Sequence, residues 1–131
     1  MSSNETNNKH LIDSDVFISY VKADNLIAHS EKVVHQILEG KTQAYVSSML
    51  YEDITRAASV TAITNLMFHP TTAEVDLLAF TLMKQYRIAS LFDAYHVATA
   101  KIHSLPLITS DKYIIQNQEE IGLTVIDLRS M

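Results

Sequence analysis

Cysteine is absent, which removes disulfide frameworks, thiolate zinc sites, iron–sulfur clusters and thiol nucleophiles from consideration. Positive charge is scarce: ten Lys and Arg stand against fifteen Asp and Glu, a net charge of −5. That balance excludes a polybasic nucleic-acid binder, although not a nucleic-acid enzyme whose acids gather in one metal site. No apolar run approaches the ~18 residues of a membrane span. The polar opening residues, Met1 to His10, lack the apolar core of a signal peptide. Glycine and proline number two each, at Gly40, Gly122, Pro70 and Pro106, a scarcity that suits long helices with short joints. What is abundant is apolar: 47% of 131 residues, enough for one proper core. The expectation is a soluble, cytoplasmic protein with a disordered N-terminal arm over residues 1–10 and a single domain over 11–131.

The hydrophobic pattern alternates between short and long elements. Leu11-Ile12 and Val16-Phe17-Ile18 flank Asp13-Ser14-Asp15 and read as a buried strand running into a turn. Leu26, Ser30, Val33, Val34, Ile37 and Leu38 recur at helical spacing, with Asp24 or Asn25 as cap and Gly40 as stop. Ala44-Tyr45-Val46 forms a short strand, after which Ser47 or Ser48 caps a helix through Leu50 and Ile54 towards Leu66. Thr71-Thr72-Ala73-Glu74 has capping-box spacing and opens a helix to about Tyr86. Ser90 caps another, whose seam is Leu91, Tyr95, Ala98, Ile102 and Leu105. Pro106 to Thr109 is a strand, Lys112 to Glu120 is helical, and Thr124 to Leu128 is a closing strand. Strands alternating with helices predict a three-layer α/β/α sandwich around a mainly parallel sheet of about four strands.

In an open parallel sheet, ligands gather beyond the carboxyl ends of the strands. Asp13, Glu52, Asp93 and Asp111 fall at that edge, and Asp15 is a fifth acid beside them. Each has a local explanation. Asp93 stands three residues after Ser90, where an acid serves cap and helix dipole. Glu52 is a first-turn acid, Asp111 an N-cap, and Asp13 and Asp15 satisfy turn donors. Independent caps need not converge on one edge, however, and converged carboxylates must take up protons or cations. With oxygen donors alone, and no histidine pair at the i,i+4 spacing of a helical zinc site, Mg²⁺ or Mn²⁺ is favoured over Zn²⁺.

The same segments resemble a known family, the PIN-domain ribonucleases. Leu11-Ile12-Asp13-Ser14-Asp15-Val16-Phe17-Ile18 is similar to their opening motif and Ser47-Ser48-Met49-Leu50-Tyr51-Glu52 to their second acidic motif. Asp93-Ala94-Tyr95-His96-Val97-Ala98-Thr99-Ala100 resembles their Asp-Ala…Ala-x-Ala helix, and Leu107-Ile108-Thr109-Ser110-Asp111-Lys112 their last acidic motif. The resemblance implies a compact metal-dependent nuclease that cuts RNA, most often as a homodimer. Many small members of the family are VapC-type toxins held by a cognate antitoxin. By position, Asp13, Glu52, Asp93 and Asp111 are implied as catalytic and metal-binding acids, with Ser14, Asp15 and Ser110 in support around them. Asp15 and Ser14 depart from the usual Asn and Thr, and Tyr95 and His96 are more polar than the family's helix.

Arg56, one turn beyond Glu52, and Lys112, next to Asp111, are the candidates for RNA contact. The histidines read as surface or packing residues, because no pair has ligand spacing. The helix after Pro70 is apolar nearly all round, which suits either deep burial or a face shared with a dimer interface. Two alternatives accompany the nuclease reading. Asp13-Ser14-Asp15-Val16 also resembles the opening of haloacid-dehalogenase-type phosphatases, and a PIN-like fold can serve as a non-catalytic RNA- or partner-binding module.

Overall fold

A computed structural model describes residues 8–49 and 66–131. Its elements are β1 (Lys9–Ile12), α1 (Ser14–Lys22), α2 (Ile27–Leu38), β2 (Gln43–Ser47), β3 (Met67–His69), α3 (Ala73–Gln85), α4 (Leu91–Ile102), β4 (Leu107–Thr109), α5 (Lys112–Gln116), α6 (Gln118–Ile121) and β5 (Val125–Asp127). A last 3₁₀ turn spans Leu128–Ser130. The strands form one sheet in the order β3-β2-β1-β4-β5, and every neighbouring pair is parallel.

Alternation along the strands divides the core in two. Leu11 and Leu107 face the helices α3 and α4, where Val75, Ala79, Leu82, Ala94, Val97 and Ala98 are buried. Ile12, Ala44, Val46 and Ile108 face α1 and α2, packing on Val16, Phe17, Val33, Val34 and Ile37. Helices therefore cover both faces of a parallel sheet, the α/β/α sandwich expected.

Several local expectations need correction. Lys9 and His10, assigned to the N-terminal arm, are the first residues of β1. The strand ends at Ile12, and Val16-Phe17-Ile18 lies inside α1, burying Val16, Phe17 and Ser19 on one face. A three-residue apolar run does not distinguish a buried strand from a buried helix segment. The sheet has five strands rather than four, because Met67–His69 pairs with β2. Nothing in its pattern marks it as a strand, since Met67 and Phe68 are both exposed. What anchors it is His69, stacked between the rings of Tyr45 and His103 at centroid distances of 4.8 and 3.6 Å. Helix α3 is capped by Thr72, whose side chain accepts from the Val75 amide, rather than by Thr71. The Thr71 hydroxyl bonds Ser48 at 2.7 Å instead. The helix expected after Ser48, with Glu52 and Arg56 on it, lies outside the described residues.

Candidate active site

The order in which strands are added reverses between β1 and β4: β2 and β3 lie to one side of β1, β4 and β5 to the other. Such a switch point opens a crevice at the carboxyl ends of the two strands. Asp13 leaves β1 there, and Thr109-Ser110-Asp111 leaves β4 beside it.

Asp13 occupies the N-cap position of α1 but makes no side-chain cap bond. Its carboxylate turns into the crevice instead, only 1% exposed, where Oδ2 accepts from the Thr109 hydroxyl at 2.8 Å. Asp15, one turn into α1, reaches the same strand end. Its Oδ2 accepts from the Ser110 amide at 2.9 Å and the Ser110 hydroxyl at 2.5 Å. The Thr109 hydroxyl also lies 3.2 Å from that oxygen, so its single proton is shared between two carboxylates. Ser14 Oγ stands 3.4 Å from Asp13 Oδ1, a long bond at best.

The electrostatics are those of crowded acids. Burial, then the charges of Asp15 and Asp93, push Asp13 well above the ordinary carboxylate value of 3.8, against the Thr109 bond that favours ionisation. Asp15 is raised as well, chiefly by burial and also by the charge of Asp111, with the Ser110 and Thr109 bonds opposing. Asp93, half-buried in the first turn of α4, has its amide capped by Ser90 Oγ at 3.1 Å. Asp111 caps α5, its Oδ1 accepting from the amides of Tyr113 and Ile114 at 2.9 and 3.2 Å. The local explanation thus holds for one oxygen of Asp111 and fails for Asp13.

Asp13, Ser14, Asp15 and Ser110 therefore cluster at the ends of β1 and β4, with Asp93 and Asp111 near enough to act on them through charge, while Glu52 and Arg56 lie outside the described residues. Lys112 is exposed at the start of α5. Three further groups lie here without being named among the candidate site residues. Thr109 stands within the last acidic motif but reads there as a strand residue. His96, set aside with the other histidines, is fully buried with Nε2 3.8 Å from Asp13 Oδ1. The useful spacing was Asp93 to His96, three residues apart on one helix face. Arg129, exposed, donates Nη1 to the Ser110 carbonyl at 3.0 Å and to Asp127 at 3.1 Å, a position that exists only because β5 lies beside β4.

Residues 10–120 match the family model of the PIN domain. The chain belongs to the PIN domain family. Solved structures similar to this PIN domain include a toxin–antitoxin complex from Klebsiella pneumoniae, 19% identical with a TM-score of 0.68 over 91% of this chain and 97% of that one. VapC20 of Mycobacterium tuberculosis, a sarcin–ricin loop cleaving toxin, is 14% identical with a TM-score of 0.66 over 89% and 98% of the two chains. VapBC-1 from nontypeable Haemophilus influenzae is 20% identical with a TM-score of 0.61 over 92% and 98%. No curated protein matches the sequence. The family assignment bears out the resemblance carried by the four acidic motifs and leaves the phosphatase alternative without support.

PIN nucleases use divalent metals, so the crevice of this PIN domain can be tested for fit. Its donors are carboxylate oxygens, the ligands of hard divalent cations. Like charges act on one another there, and among the described residues Oδ1 of Asp15 is buried without a hydrogen-bond partner. Among the described residues, however, no three His, Asp or Glu side chains are arranged to hold one ion together. Donor chemistry and charge fit a cation, and the ligand sphere is not assembled by these residues alone.

Proposed function

We propose that this PIN domain is a metal-dependent endoribonuclease that hydrolyses RNA phosphodiester bonds and serves as the toxin of a toxin–antitoxin pair in the cytoplasm. Asp13 carries the reading: a buried carboxylate, unused as a cap, held among like charges at the switch point of the sheet.

In this reading Asp13, Asp93 and Asp111, joined by Glu52, would hold Mg²⁺ or Mn²⁺. When bound, the ion neutralises phosphoryl charge and makes water a better nucleophile. Thr109 and Ser110 restrain Asp13 and Asp15 through the bonds described, so the acids are oriented before substrate arrives. Lys112 and Arg129, both exposed, offer positive charge to RNA phosphates at the rim of an otherwise acidic crevice. Arg56 is a third candidate from sequence. Among the described residues, no helix is long and apolar enough to cross a membrane.

The substrate class is tested with end-labelled RNA and DNA of one sequence in Mg²⁺ or Mn²⁺. Internal cuts confined to RNA are expected. Uncut RNA under either ion, with the protein folded, would remove the nuclease and leave a binding module.

The toxin–antitoxin similarity supports a small protein partner, the antitoxin, and the surface supports a homodimer. Along α3, Val75, Ala79 and Leu82 enter the core, whereas Leu77, Phe80 and Met83 are 71%, 54% and 37% exposed. Three large apolar side chains at i, i+3 and i+6 form a strip without cover in one copy. Light scattering should report a dimer at micromolar concentration. Phe80→Asp should convert it to a folded monomer, and a wild-type monomer would assign the strip to another partner.

A further inference from the structure

Among the described residues, three buried side-chain polar atoms have no hydrogen-bond partner: Oδ1 of Asp15 and both ring nitrogens of His96. Two residues of one crevice thus account for all three. A buried imidazole with neither nitrogen satisfied is destabilising, while a leucine would fill the same space in α4 without that penalty. Packing alone therefore does not explain a histidine here. Its setting is specific. His96 is 0% exposed, surrounded on α4 by Tyr95 and Val97, both buried, and its Nε2 is directed at Asp13 Oδ1 from 3.8 Å. That gap is just beyond hydrogen-bond reach. Asp93, one turn earlier on the same helix, raises Asp13 through its charge, so α4 addresses the Asp13 carboxylate at two successive turns.

We propose that His96 is a positioning residue for Asp13: its imidazole donates Nε2–H to Oδ1 of Asp13 in the cation-loaded site, fixing the orientation in which that carboxylate meets a divalent ion. The inference rests on the metal-dependent nuclease reading above and adds to it a residue outside the acidic set. The assignment has two physical supports. Carboxylates that ligate metals are themselves hydrogen-bonded by an outer shell that sets their orientation. Oδ2 of Asp13 already has such a side-chain donor in Thr109, whereas the side-chain contact to Oδ1 from Ser14 is long.

The test is Mn²⁺ binding by the full-length protein, followed by calorimetry and EPR, for wild type, His96→Leu and His96→Gln. Leu removes the donor and keeps the volume. It should weaken Mn²⁺ binding by about 10- to 100-fold, with the metal-free fold as stable as wild type or more so. Gln keeps an amide donor and should recover most of the loss. Should Leu misfold, His96→Met fills the same space more adaptably and carries the same expectation. Wild-type affinity in the Leu or Met variant overturns the role of His96 and leaves the nuclease reading standing. A Gln variant no better than Leu overturns it too. A ¹⁴N coupling in the wild-type Mn²⁺ spectrum would mean direct ligation and replace the positioning role. No Mn²⁺ binding by wild type overturns both readings together.

Discussion

Asp13→Asn is expected to cut RNA cleavage by about 10³-fold or more, the several kcal/mol that a catalytic metal contributes, and to raise the melting temperature of the metal-free protein. Activity and stability move in opposite directions because one charge controls both. Asn keeps the size of Asp13 and an oxygen to accept the Thr109 bond seen at 2.8 Å, so the strand ends stay joined. What disappears is a carboxylate buried beside Asp15 and Asp93, whose repulsion and desolvation oppose ionisation. Linkage gives the pH signature. For a carboxyl whose native pKa is raised, the fold holds more protons than the unfolded chain above the ordinary value of 3.8. Its stabilising contribution is full below that value and is lost as pH rises through the raised native value. Wild type in EDTA should therefore lose stability across that window relative to Asp13→Asn. His96 works the other way. Its contribution is present above its ordinary 6.5 and is lost as pH falls to about 4, so the difference between the two proteins is the quantity to follow. A variant that still cuts RNA, or that melts below wild type in EDTA, would return Asp13 to a purely structural part.

Chelation should abolish cleavage altogether, and Mg²⁺ or Mn²⁺ should restore it. The argument is again the crowding of acids: without a cation, burial and neighbouring charge favour the protonated forms of Asp13 and Asp15, and a protonated carboxyl is a poor ligand and a poor base. Mass action supplies an independent readout. A cation at a hundred times its dissociation constant stabilises the native state by about 2.7 kcal/mol, roughly 10 °C in melting temperature for a domain of this size. Asp13→Asn should show little of that shift. Cleavage undiminished in EDTA would sink the metal mechanism, whatever the melting curves show.

Much of this architecture was legible in the residues. Apolar period located α2, α4, β2 and β4, and Ser90 also marks the start of α4, whereas α2 starts after Leu26, without a side-chain cap, and not at the expected Asp24 or Asn25. What escaped was decided by tertiary contact. Val16-Phe17-Ile18 is helical because Phe17 and Val16 meet the Ile12 face of the sheet, not because of any local preference. Met67–His69 is a strand because β2 offers it an edge. The acids were found by where strands end, yet Thr109, His96 and Arg129 enter the crevice through pairings that a one-dimensional pattern does not display. Asp111 shows the converse: its capping bonds are real, and they coexist with a place beside Asp15.

The bond from Thr109 to Asp13 joins residues 96 apart in the chain. On a ribosome adding about 5–20 residues per second, roughly 5–20 s separate the appearance of Asp13 from that of Thr109. Throughout that interval the sheet lacks β4, and the first acid faces no strand end on that side. On the nuclease reading proposed above, a growing chain of this protein is harmless to the RNA around it, including the message being read, until Thr109 has been made. On the same reading, the proposed antitoxin has until then to arrive, and a message truncated before the codon for Thr109 is expected to yield no active product.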